Sequence, residues 1–152
     1  MKGLIQRVSQ ASVAVDDELI ASIDTGLLLL LGVEKGDGKH EARELCRKIL
    51  TYRVFPDDAG RMNRSLLDIG ASLLVVPQFT LVADTSSGTR PGFSLAAEPD
   101  VANGLYESFV TDARARLGPD KVSEGRFGAD MKVGLTNDGP VTFMLGTRRQ
   151  SG

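Results

Sequence analysis

Residues 131–143 read MKVGLTNDGPVTF, and the way this stretch is divided decides how the rest of the chain is arranged. Met131, Val133 and Leu135 are apolar and alternate with Lys132, Gly134 and Thr136, the two-residue period of a strand with one buried face. Asn137-Asp138-Gly139-Pro140 then sets four turn formers in a row, after which Val141, Phe143 and Leu145 resume the alternation. Spacing alone predicts two strands joined by a trans Gly-Pro hairpin turn. The bond before proline is also the one ordinary site for a cis peptide.

Working outward, Lys2 to Val15 reads as a strand, and Asp16-Asp17-Glu18 turns it into a second, Leu19 to Ile23. Leu27 to Val33 is an unbroken apolar run, too short for a membrane span, which predicts a central strand buried on both faces. From Lys39 to Leu50 the spacing of Ala42, Leu45, Cys46 and Ile49 puts one apolar stripe on a helix, with His40 exposed in its first turn. Tyr52 to Phe55 is a short strand candidate. Leu73 to Leu81 is a strongly apolar strand, but Pro77 has no N–H, so the ladder must bulge or end there, beside Gln78, Phe79 and Thr80.

Residues Ala83 to Ala97 are rich in Ser, Thr, Gly and Pro and read as a long surface loop able to cover a cleft. Pro99 suits a first helical turn, and Val101, Leu105, Tyr106, Phe109, Val110, Ala113 and Leu117 form a wide apolar face before Gly118-Pro119 stops the helix. The fold class that follows is α+β: a mostly antiparallel, barrel-like sheet with about two helices packed on it. Its exposed strand edges favour a homodimer.

The bulk numbers bound the function. A chain of 152 residues, 41% hydrophobic and 25% charged, fits a single domain spanning 1–152 with a substantial core. No apolar run suits a membrane or a signal peptide, so a cytoplasmic protein with no membrane partner is expected. The single cysteine, Cys46, and the single histidine, His40, exclude the usual zinc ligand sets and leave no visible catalytic triad. Cys46 reads as core packing rather than a catalytic thiol, and neither metal nor cofactor is expected. A net charge of −2 argues against a protein that coats nucleic acid. Arg43, Arg47 and Lys48 on one helix, with Arg148 and Arg149 near the chain end, read either as a local basic patch or as a solvated face. The residues taken one at a time stop at an α+β domain of open function.

Longer motifs go further. MKGLIQRVSQASVAVDDELIASIDTGLLLLLGVEKGD at the start, PQFTL at Pro77–Leu81, GTRPGF at Gly88–Phe93, LYESF at Leu105–Phe109 and FGADMKVGLTNDGPVTF at Phe127–Phe143 resemble the D-aminoacyl-tRNA deacylase family in order and nearly end to end. The resemblance implies a homodimeric hydrolase that cleaves the ester of D-aminoacyl-tRNA, and of glycyl-tRNA mischarged on alanine tRNA. It implies that Gly139-Pro140 is a Gly-cis-Pro element inserted into the partner's site to reject L-aminoacyl-tRNA, with catalysis by the 2′-hydroxyl of the tRNA. Gln78, Phe79 and Thr80 would form the pocket and its oxyanion donors, Thr80 not acting as nucleophile. Arg7, Phe93 and Met131 join the substrate-binding set, with Arg7 either bracing the Gly-Pro element or forming a surface ion pair. Two departures stand out: Pro77 replaces the family's usual serine, and Thr89 and Gly92 stand where asparagine and serine are common. The first keeps open a second reading, a non-catalytic tRNA-end or small-ligand binding module on the same scaffold.

Overall fold

The computed structural model describes residues 1–147, so the expected basic pair Arg148-Arg149 lies outside the described residues. In chain order the elements are β1 (Lys2–Val15), β2 (Glu18–Ile23), β3 (Gly26–Gly32), α1 (Lys39–Thr51), β4 (Phe55–Pro56), β5 (Met62–Arg64), α2 (Leu66–Ile69), β6 (Ser72–Pro77), α3 (Pro99–Leu117), β7 (Val122–Glu124) and β8 (Lys132–Gly146). The long β1 is shared. Along one edge it pairs with β8; along the other it pairs with β3 over Lys2 to Val8 and with β2 over Ala11 to Val15, all antiparallel.

From β3 the sheet continues in parallel through β6 to β7. Parallel neighbours need a long crossover, and the chain supplies α1 between β3 and β6 and α3 between β6 and β7. Both helices lie on one face of the sheet. Leu27, Leu29 and Leu31 of β3 and Leu73 and Val75 of β6 therefore pack with Leu45, Ile49, Phe109 and Ala113. The residues between them, Leu28, Leu74 and Val76, point the other way and meet Val8, Val13 and Ile23. That second cluster is closed because β2 curls over toward β6 and β7, which makes the sheet nearly a barrel. The continuous apolar run of β3 thus has partners on both faces, each buried leucine contributing roughly 1.5–3 kcal/mol.

The structure departs from the local reading in five places. The Gly-Pro segment is not a hairpin. β8 is one strand whose register with β1 steps from Val8↔Asn137 to Gln6↔Thr142, so Asp138, Gly139, Pro140 and Val141 bulge out opposite Arg7 alone. A third helix, α2, is a single turn capped by Ser65 and ended by left-handed Gly70, too short to show a period. Of Tyr52 to Phe55 only Phe55 is in a strand. The apolar strand from Leu73 ends at Pro77, as the missing N–H requires, but Phe79 to Leu81, read as its continuation, lie instead in a 3-10 turn at Phe79–Val82. Val101 is exposed, and Ala102 takes the buried position on α3. Among the described residues no helix is long and apolar enough to cross a membrane.

Candidate functional site

Pro77 ends β6 because it has no N–H, and the last ladder bond runs from the Gln78 N–H to the Leu31 carbonyl at 2.8 Å. The chain then tightens into the 3-10 turn, whose opening N–H groups, those of Phe79 and Thr80, have no partner within it. Beside this turn lies a cleft of about 480 Å³. Three separate segments wall it: Val76 to Phe79, the approach to α3 from Ala96 to Ala102, and residues Phe127 to Val133.

Of the sequence-predicted residues, Gln78, Phe79 and Met131 line this cleft. Phe93 is brought to it by the long loop, its ring centroid 5.3 Å from that of Phe79 and tilted by 52°. Both rings are exposed, which leaves an aromatic surface at the rim. Thr80 sits just outside, its hydroxyl accepting a hydrogen bond from the Gln78 side-chain amide. Met131 is held in place as its sulfur accepts the Arg126 N–H at 3.4 Å.

Arg7, Gly139 and Pro140 form a second group that does not line the cleft of its own chain. The Gly139-Pro140 peptide is cis. Arg7 braces the bulge directly: its Nε donates to the Asp138 carbonyl at 2.9 Å and its Nη1 to the Val54 carbonyl at 2.7 Å. Asn137 closes the bulge from within, its Oδ1 accepting the Val141 N–H at 2.7 Å and its Nδ2 donating to the Thr142 hydroxyl at 3.0 Å. Gly139 has φ +148°, and a β-carbon there would lie 2.6 Å from Val141 Cγ2 and 3.0 Å from the Val141 nitrogen. Only glycine fits that backbone. The result is a braced loop whose Asp138, Gly139 and Pro140 are all exposed.

Comparison with known proteins decides the family. The family model described as D-Tyr-tRNA(Tyr) deacylase matches residues 4–146. The chain belongs to this deacylase family. A D-aminoacyl-tRNA deacylase of Marinobacter nauticus is 70% identical over 145 residues, covering 95% of this chain and 93% of the relative. One from Teredinibacter turnerae is 57% identical over 145 residues, covering 95% and 99%. Among solved structures, the c-Myc DNA Unwinding Element Binding Protein aligns with TM-score 0.94 and 40% identity over 98% of this chain and all of that one. A probable eukaryotic D-amino acid tRNA deacylase aligns with TM-score 0.83 and 18% identity over 96% and 98%, a likeness of fold. Membership of a deacylase family makes the chain a hydrolase.

For a hydrolase, the cleft is chemically spare. Among the described residues its lining carries no Asp, Glu, His, Lys, Arg, Cys or Ser, and Gln78 is its one polar side chain. His40 lies away on α1, exposed and 3.8 Å from Glu44. Cys46 is buried, and desolvation, with the nearby Asp112 charge adding to it, pushes its thiol up to about 12. Neither can serve as nucleophile or base at the cleft. What the cleft offers is backbone polarity, an amide and apolar walls. The Asn137 clamp and the Ala96-Ala97 wall went unmarked in the sequence, because Asn137 reads as a turn former and alanine carries no chemical signal; the loop composition pointed only to a cover.

Proposed function

We propose that this chain is one domain of a cytoplasmic homodimer that hydrolyses the ester joining a D-amino acid to the terminal ribose of tRNA. Glycine mischarged on alanine tRNA is a second substrate. The observation that carries this reading is the cleft itself: it sits at the family's Gln78-Phe79-Thr80 motif and has no titratable side chain among the described residues. A site without a protein base suits a reaction in which the 2′-hydroxyl of the tRNA takes part in activating the attack. The N–H groups of Phe79 and Thr80 then supply the oxyanion donors, each such donor being worth about 3 kcal/mol in other enzymes. Phe79 and Phe93 offer the terminal bases a stacking surface.

Selection against L-aminoacyl-tRNA falls to Gly139-Pro140 of the second copy. Both residues are exposed and stand clear of their own cleft, which supports insertion into a partner's. The backbone carbonyls of the bulge act as rigid acceptors for the substrate's amino group and leave no space for a side chain of L configuration. Glycine, with no side chain, enters the same pocket. Pro77 in place of serine removes a hydroxyl from the wall, so this reading assigns no essential step to a side chain at position 77.

The direct test is incubation of the purified protein with D-tyrosyl-, L-tyrosyl- and glycyl-tRNA. Release of D-tyrosine and glycine, with L-tyrosyl-tRNA intact, is expected. No release at micromolar enzyme would overturn the reading in favour of a non-catalytic tRNA-end binding module. Thr80→Ala should keep most of the turnover, because no base among the described residues is placed to activate its hydroxyl. A loss of about 10³-fold or more would make Thr80 the nucleophile and remove the role given to the RNA.

A further inference from the structure

One helix face remains outside this description. Lys39, Arg43 and Arg47 follow at intervals of four along α1, so their side chains form one row, spaced about 6 Å apart and about 12 Å long. All three are exposed, and none has an ion pair or side-chain hydrogen bond among the described residues. The neighbouring row differs. His40 meets Glu44 at 3.8 Å, and Lys48 reaches the Gly146 carbonyl at 3.5 Å. Of the carboxylates near the row, Glu41 accepts the Gly38 N–H at 2.8 Å, and Asp112, which also lines the groove between α1 and α3, accepts Arg116 Nε at 3.1 Å through Oδ1 while its buried Oδ2 has no hydrogen-bond partner among the described residues. In a chain with net charge −2, three unpaired cations in line are a concentrated positive field.

The row has a second wall. Lys39 and Arg43 line a groove of about 360 Å³ between α1 and α3, opposite Ser108 and Thr111, whose hydroxyls can donate to phosphate oxygens or ribose hydroxyls. The groove is linked to the cleft by backbone. The Ala97 N–H donates to Val33 at 3.0 Å, Glu34 bridges to Ala96, and the Lys35 N–H donates to Leu95 at 2.9 Å. Ala96 and Ala97 are walls of the cleft, and Lys39 begins α1 four residues beyond Lys35.

From this placement we infer that the Lys39-Arg43-Arg47 row, with Ser108 and Thr111, is the track for the phosphate backbone of the tRNA acceptor stem while its 3′ end occupies the cleft. The inference rests on the deacylase reading. About 12 Å of duplex presents roughly seven charges at the density of duplex DNA, enough for three contacts without distortion. Three duplex contacts give a salt slope near −2.7 in log–log form, or roughly a fortyfold loss of affinity between 50 and 200 mM salt.

The test replaces the row by Lys39→Gln, Arg43→Gln and Arg47→Gln together. Binding of uncharged tRNA should weaken at least tenfold, with a salt slope shallower by about 2 to 3. KM for D-tyrosyl-tRNA should rise in parallel, while kcat and hydrolysis of D-tyrosyl-adenosine, which has no stem, stay as in the parent. His40→Gln with Lys48→Gln should change none of these. Parent-like tRNA affinity and salt slope in the triple variant would overturn the track, as would an equal loss on D-tyrosyl-adenosine. Failure of the parent protein to hydrolyse either D-tyrosyl substrate would instead refute the deacylase reading, leaving the tRNA-binding slope to judge the track alone.

Discussion

Replacing Arg7 should loosen the Gly-Pro bulge without touching the cleft. Four residues of β8 stand opposite this one residue of β1, and its guanidinium spans two carbonyls that are distant in sequence, Asp138 and Val54. In Arg7→Leu the exposed Asp138 carbonyl turns to water at little cost, whereas the partly buried Val54 carbonyl is left short of a donor. Together the two losses amount to about 2 kcal/mol. In a domain of this size each kcal/mol moves Tm by about 2–4 °C, so a fall of about 4–8 °C is expected in a thermal melt. Arg7→Lys should fall about half as far, because an ammonium cannot hold both carbonyls with the fork of a guanidinium. The functional readout is the ratio of kcat/KM on D-tyrosyl- over L-tyrosyl-tRNA. Misplacing a positioning group by about 1 Å can cost ~10²-fold, so a drop in that ratio of tenfold or more is expected in both variants. A melt within about 1 °C of the parent and an unchanged ratio in both would show that Arg7 braces nothing that matters.

Three further outcomes follow from the geometry. Gly26→Ala should destabilise severely, by more than about 4 kcal/mol, since a β-carbon there would lie 1.8 Å from the Ser72 carbonyl oxygen across the parallel β3–β6 pair; soluble, parent-like protein would contradict that close approach. Cys46 should resist alkylation by iodoacetamide at pH 8 in the native state and react on unfolding, because burial holds its thiol up at about 12; native labelling at the unfolded rate would refute its burial. Backbone hydrogen bonds from Gly38, Arg61 and Ser65 lower the carboxyls of Glu41, Asp57 and Asp68, and the Ser86 side chain and N–H lower that of Asp84. The unfolded chain thus takes up protons first, so their stability is present above about pH 4 and lost as pH falls below it. Urea midpoints should accordingly drop between pH 5 and pH 3, and a flat profile would count against these bonds.

Much of the chain was legible where its signals are local. Pro99 and Gly118 bounded α3, the missing N–H of Pro77 ended β6, and the unbroken leucines of β3 announced burial on two faces, as the packing bears out. Each depends on a residue's own backbone limits or on period, which a sequence carries in full. The family, too, was legible in motifs that keep their order nearly end to end.

Other features existed only once distant segments met. Nothing near Asn137 says that one β1 residue would face a four-residue bulge, because that register is set by β1 pairing with both halves of β8. The bond from Arg7 to Asp138 spans 131 positions, and the cleft draws on three segments whose alanines and glycine carry no chemistry of their own. Short-range preference and hydrophobic period choose elements, but strand register, crossovers and shared cavities are settled by contacts between residues far apart in the chain. At those places the tertiary structure, and not any local pattern, made the site.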